Sequence, residues 1–289
     1  MAKSALLKSS LGKKYWMALT GLFLCVFLIG HLAGNLQLIF GTDLQFNQYA
    51  YFMTSNPAVK ILSYLTYFSI LFHAVDGILL TIQNKKARPA GYVKNNAAAN
   101  TTWQSRNMAV LGTLLLVFIV THMTNFWAKM HFTEMPLQQQ SVTIQPMPGM
   151  DLEAQGINTT NGGLIYLIDQ EGTSVYFDKV EGELELRNNK EFYAKGSEIK
   201  VAEGYKDLYK ITIDFFKDPQ YGLAFTLFYV FSMAVLAFHL LHGFASAFQS
   251  LGLNNPKYNS CIKGLGKLFA IIVPLLFAII PIYIRFFLK

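Results

Sequence analysis

The sequence predicts an all-α integral membrane protein: a bundle of five transmembrane helices with a small β-rich insertion between the third and fourth. Three observations predict it. Of 289 residues, 53% are hydrophobic and only 14% charged, whereas a soluble domain carries about a quarter charged residues. Five stretches are long and apolar enough to cross ~30 Å of hydrocarbon, which takes ~20 residues in a helix. The basic residues between those stretches gather in alternate loops, the pattern that orients a membrane protein. The net charge of +7 does not argue for nucleic acid, which needs basic residues on an exposed soluble face. An aromatic content of 15% excludes a disordered chain, and two cysteines exclude a disulfide framework.

The five stretches cover residues 16–40, 57–82, 106–127, 222–248 and 267–288. Tyr15, Trp16, Trp103, Arg106, Trp127, Tyr221 and Lys267 mark their ends, as aromatic and basic residues do at a membrane interface. The first apolar run, about 25 residues after a basic start, is longer than a signal-peptide core and reads as a span. Pro274 and Pro281 fall within the fifth and are expected to kink it. Domain boundaries follow: 1–127 for helices one to three, 128–219 for the insertion, and 220–289 for helices four and five.

Orientation comes from the bases. Lys3, Lys8, Lys13 and Lys14 precede span one. Lys85, Lys86, Arg88, Lys94 and Arg106 fill the second loop, and Lys257, Lys263 and Lys267 the fourth. No acid accompanies these twelve bases, so this side is expected to be cytoplasmic. That puts the N-terminus inside, with the C-terminus and residues 128–219 outside. The insertion holds fifteen acids and nine bases. Within it, GLIYLI and TSVYFD around DQEG read as a β-hairpin, ELEL and residues 192–201 as an extension of the sheet, and residues 208–216 as an amphipathic lead into span four.

Ionisable residues inside a membrane are costly and point to function. His31, His73, His122 and His239 fall one each in spans one to four. At 1.5 Å of rise per residue, His31 and His122 lie about 22 and 24 Å from the inner ends of their spans, at an outer level. His73 and His239, on spans running the other way, share an inner level roughly 16 Å from the first. Two pairs of imidazoles at two depths suit six-coordinate haem held His–Fe–His between facing helices. The pairing expected is His31–His122 for an outer haem iron and His73–His239 for an inner one. With no CxxCH for covalent attachment, both would be haem b. Gly77 and Gly243 each follow a ligand by one turn, leaving room for a flat porphyrin against the backbone. Gly30 and Gly34 bracket His31, a spacing that also serves simple helix packing.

For any single histidine the competing reading is an interhelical hydrogen bond; four at two matched depths favour ligation. His242 is a rival ligand to His239, or a hydrogen-bond donor at a propionate or the interface. His131 reads as a loop residue. Asp76, the one acid within a span, either pairs with a nearby base or relays a proton, and pairing is favoured. Arg106, Lys13 and Lys14 stand where inner-haem propionates would end, and where topology anchors also belong.

The blocks SSLGKKYWMALTGLFLCVFLIGHLAGNL, FHAVDGI, VTHMTNFW and YVFSMAVLAFHLLHGFASAFQSLGLNNPKY resemble the dihaem cytochrome b membrane anchor of succinate dehydrogenase/fumarate reductase. The likeness covers all five spans, about two-thirds of the chain, and leaves out the insertion. It implies a multi-pass subunit of a bacterial inner membrane that binds two haems b and exchanges electrons with a quinone, usually menaquinone. It also implies an FAD-bearing flavoprotein subunit and an iron–sulfur subunit on the cytoplasmic face, where dicarboxylate chemistry takes place, and allows a dimer of the whole complex. The family's axial ligands carry over onto His31, His73, His122 and His239, with the first histidine of HLLHG favoured over His242. Where some relatives have a glutamate two residues before the span-four ligand, this chain has Ala237. Where some have a quinone-binding glutamate near the start of span two, residues 44–59 hold no acid, and Asp43 just precedes them. The basic inner face would suit an acidic partner surface. Two other readings stay open: the cytochrome b subunit of a hydrogenase or formate dehydrogenase, and a structural membrane protein without haem. A cytochrome bc₁ type is disfavoured, because no span carries two histidines 13–14 residues apart.

Overall fold

The computed structural model describes residues 9–87, 90, 96–142, 164–171, 174–176, 184–188 and 190–289. Lys3, Lys8, Arg88 and Lys94 lie outside the described residues. Among the described residues, five helices are long and apolar enough to cross a membrane. The chain divides into two compact units: Met1–Phe40 with Ser55–Met123 and Phe215–Lys289, and Gly41–Thr54 with Thr124–Asp214.

The first unit holds the long helices. Helix α1 runs Ser10–Asn35, beginning six residues before the apolar stretch because Ser9 caps it, its hydroxyl accepting from the Gly12 amide at 2.9 Å. After α2 (Asp43–Ser55, in the second unit), helix α3 covers Pro57–Ala87. Asn56 caps it by accepting from the Ala58 amide at 2.9 Å, and Pro57 occupies the first-turn position that needs no amide donor. Helix α4 is Met108–His122; a π-helical turn, Met123–Trp127, follows directly, and a last turn, Ala128–Phe132, completes the span. Helix α6 covers Gly222–Ser250 and α7 Pro256–Phe286.

The last helix starts eleven residues before the expected apolar stretch. Asn255 caps it with Pro256 in the first turn, so local signals override the polar composition of residues 256–266. Pro274 and Pro281 sit inside this one continuous helix. Val26, Ile29, Ile61, Val117, Leu227 and Leu265 are exposed, as side chains facing lipid would be. Round the bundle, α1 packs against α3 and α6, α6 against α4 and α7, and α3 more lightly against α4.

The second unit contains two three-stranded antiparallel sheets. Strands β1 (Gln139–Val142), β2 (Leu164–Ile168) and β3 (Ser174–Tyr176) make the first, with Tyr166 opposite Tyr176 and Ile168 opposite Ser174. Strands β4 (Leu184–Arg187), β5 (Glu191–Ala194) and β6 (Lys200–Glu203) make the second. Bridges Leu137–Lys206 and Asp169–Gly204 tie strand ends together. Phe192, fully buried, packs with Leu137, Leu186 and Ala202. Helix α5, Leu208–Lys217, then leads back to α6.

This unit is not confined to the long insertion, because it takes in α2 from the first interhelical connection. Asn47, 1% exposed, explains why. Its side-chain amide donates to Gln138 Oε1 at 3.1 Å and Asp207 Oδ1 at 2.9 Å, and its carbonyl accepts from the Tyr209 amide at 2.9 Å. Phe46 and Tyr51 add edge-on ring contacts with Tyr209 and Tyr205.

Candidate functional site

Neighbours round the bundle are α1–α3, α1–α6, α4–α6 and α3–α4, so α1/α4 and α3/α6 are its diagonals. Both histidine pairs form across these diagonals. The His31 and His122 rings, from α1 and α4, have centroids 5.8 Å apart and planes at 88°. The His73 and His239 rings, from α3 and α6, lie 6.2 Å apart at 65°. Imidazole–metal bonds run about 2 Å. Adding roughly 1 Å from each ring nitrogen to its ring centre, a metal held between two imidazoles separates their centroids by about 6 Å. Both gaps match that separation.

The two pairs occupy different levels. His73 meets α1 at Met17, Thr20 and Gly21, which precede His31 by fourteen, eleven and ten residues. The rise of a helix converts that to about 15–21 Å. On α6, His122 meets Tyr229, ten residues before His239, again about 15 Å.

Hydrogen bonds on the outer nitrogens decide which nitrogen is left for a ligand. His73 Nδ1 lies 3.1 Å from the Met17 carbonyl and 3.3 Å from Thr20 Oγ1. The Thr20 hydroxyl donates to the Trp16 carbonyl at 2.7 Å. Nδ1 therefore carries the His73 proton, and Nε2 presents its lone pair. His122 Nδ1 lies 3.3 Å from the Tyr229 hydroxyl. His239 Nδ1 is buried without a hydrogen-bond partner, an orphaned polar atom at a costly place. His31 stacks on Phe27 at 5.2 Å and meets Phe277 at 5.7 Å.

The glycines divide by what surrounds them. A Cβ on Gly21 would stand 3.0 Å from His73 Cε1, so this glycine seats the ring. A Cβ on Gly77 or Gly243 would meet nothing within 4 Å, which leaves a bare strip of helix one turn from His73 and His239. No described side chain comes within 4 Å of either Cβ position, which leaves the kind of open strip a flat apolar macrocycle requires. Among the described residues no group of three or more His, Cys, Asp or Glu gathers for a metal. Each pair thus offers two axial donors, as haem iron requires when a macrocycle supplies the other four. The π-turn directly after His122 is a distortion frequent at functional sites.

Arg106 is not brought to either pair. Its Nη1 donates to the carbonyls of Thr101 at 2.5 Å and Ala97 at 3.2 Å, closing the turns that precede α4. His242 is half-buried and belongs to neither ring pair. His131 stacks on Trp127 at 4.7 Å and contacts its carbonyl at 2.8 Å. Asp76, half-buried, feels Lys13 and His73 as its charged neighbours. Cys25 is buried and Cys261 exposed, both as free thiols. Sequence reasoning missed Tyr229, Thr20 and Gly21; a tyrosine ten residues before His239 in the same span is the one signal that could have marked Tyr229.

No protein-family model matches the chain, and neither a curated protein nor a solved structure matches it.

Proposed function

We propose that this chain is the membrane anchor cytochrome b of a succinate:quinone oxidoreductase, carrying electrons between an iron–sulfur subunit and menaquinone. The observation that carries the haem part is the pairing of four histidines across two diagonals, at about 6 Å in both cases. The sequence blocks around those histidines support the choice of complex. His31 with His122 and His73 with His239 would each hold one haem b, which would supply one-electron redox chemistry.

The chain's own residues do the rest. The Met17 carbonyl and Thr20 hydroxyl fix the His73 tautomer, and the Tyr229 hydroxyl faces the outer nitrogen of His122. Gly77 and Gly243 leave apolar room beside the His73–His239 pair. The two levels lie about 15 Å apart along α1 and α6, about half of the ~30 Å hydrocarbon, so His31 with His122 and His73 with His239 would hold one haem each at two depths. The twelve bases support an orientation in which the His73–His239 level lies nearer the cytoplasmic face of a bacterial inner membrane, the side on which the proposed flavoprotein and iron–sulfur subunits would dock. In that orientation residues 128–219 are expected on the periplasmic side.

A reduced-minus-oxidised spectrum of the purified protein tests the haem reading, and a b-type α-band is the expected result. Succinate-dependent reduction of a menaquinone analogue by the intact complex tests the choice of complex. A hydrogenase or formate dehydrogenase partner would give the same spectrum without that activity.

A further inference from the structure

Tyr229 is 7% exposed and its ring sits in an aromatic box. Phe118 and Phe216 each meet it edge-on at 5.0 Å, with Phe215 and Phe228 at 5.9 and 6.0 Å. Arg285 holds one wall in place, its Nη1 donating to the carbonyls of Phe216 at 3.5 Å and Asp218 at 3.1 Å. A phenol buried among phenylalanines needs a polar partner, and its hydroxyl lies 3.3 Å from His122 Nδ1. The His122 ring is itself held between Phe118, stacked at 27°, and His31 at 88°.

The histidines have unlike outer partners. His73 faces a main-chain carbonyl, His239 Nδ1 has no hydrogen-bond partner, and His122 faces a side chain. When Nε2 of a neutral imidazole binds metal, its proton resides on Nδ1, and the group accepting that proton orients the ring and raises its basicity.

We infer that Tyr229 is a positioning residue for the His31–His122 centre, its hydroxyl accepting from His122 Nδ1 to fix the ring plane and tune that haem alone. The inference rests on the haem reading above. A more basic axial imidazole stabilises ferric over ferrous iron, so loss of the acceptor raises the reduction potential of this centre. It also frees the ring to turn away from its near-perpendicular setting, and the anisotropy of a ferric low-spin signal follows the angle between the axial rings.

Tyr229→Phe removes only the hydroxyl and keeps the box. Redox titration and electron paramagnetic resonance of the purified protein should show two haems retained, one midpoint potential raised, the other unchanged, and one low-spin signal altered. Phe228→Leu, which disturbs the same box without touching the hydrogen bond, should leave both potentials in place. Unchanged potentials and signals in Tyr229→Phe, or equal shifts in both variants, would overturn the role while leaving the haem reading intact. Wild-type protein without a b-type band would overturn both.

Discussion

Substituting Gly77 by leucine separates a bundle that binds a macrocycle from one that merely packs histidines. In the bare chain the new side chain has room, because a Cβ at Gly77 meets nothing within 4 Å. Helix α3 would also gain about 1 kcal/mol from replacing an interior glycine by a good helix former. If a flat porphyrin lies over that strip of helix, four added carbons intrude into its seat. Overpacking of a filled site costs about 1–3 kcal/mol, which converts to an affinity loss of about 5- to 150-fold. Gly77 is one turn from His73, so the loss should fall on the His73–His239 centre. The assay is haem stoichiometry by pyridine haemochrome, paired with thermal unfolding of the protein freed of cofactor. The expected outcome is one haem in place of two, with apoprotein stability unchanged or raised. Two haems of wild-type affinity in Gly77→Leu would refute the macrocycle seat.

Three further outcomes are expected. Gly21→Val places a branched side chain where a Cβ alone is 3.0 Å from His73 Cε1; displacement of the ring should abolish one haem signal and spare the other, and an intact pair of signals would show that the ring is not held there. Asn47→Ala deletes three buried hydrogen bonds at roughly 1 kcal/mol each, so the unit containing residues 124–214 should lose about 3 kcal/mol, read as faster hydrogen exchange around residues 205–212 with the visible spectrum unchanged. Lys200 holds the carboxyls of Glu191 and Glu203 below their usual range through hydrogen bonds. Their contribution is therefore present above the ordinary glutamate pKa and lost as the pH falls through the lowered one. Exchange at β5 and β6 should accelerate on acidification below that range, an effect that Lys200→Met should weaken and that the remaining bonds from Asn188 to Glu191 and Lys190 to Glu203 should keep in part.

Legibility in the sequence followed the range of the interactions. Hydropathy and helical rise are local quantities, so the five apolar helices and the spacing of four histidines could be read before any fold was known. The ends were less legible where capping outweighed composition: Ser9 and Asn255 start α1 and α7 well outside the apolar runs. Helix α2 was missed as a partner of the insertion because its anchor, Asn47, is a polar core residue whose partners lie 91 and 160 positions away. The Tyr229–His122 contact spans 107 positions and carries no periodic signal. Arg106 was read for its charge and place at a span end; the structure adds that its Nη1 donates to carbonyls five and nine residues away, a local contact that hydropathy does not signal.

Each diagonal histidine pair is proposed to hold one haem. A reduced-minus-oxidised spectrum and haem count on purified wild-type protein, alongside His31→Ala, test it most directly. Two haems b per chain, falling to one in the variant with the second centre's spectrum intact, is the predicted result. A wild-type protein with no b-type α-band, or a variant that keeps both haems, would contradict it.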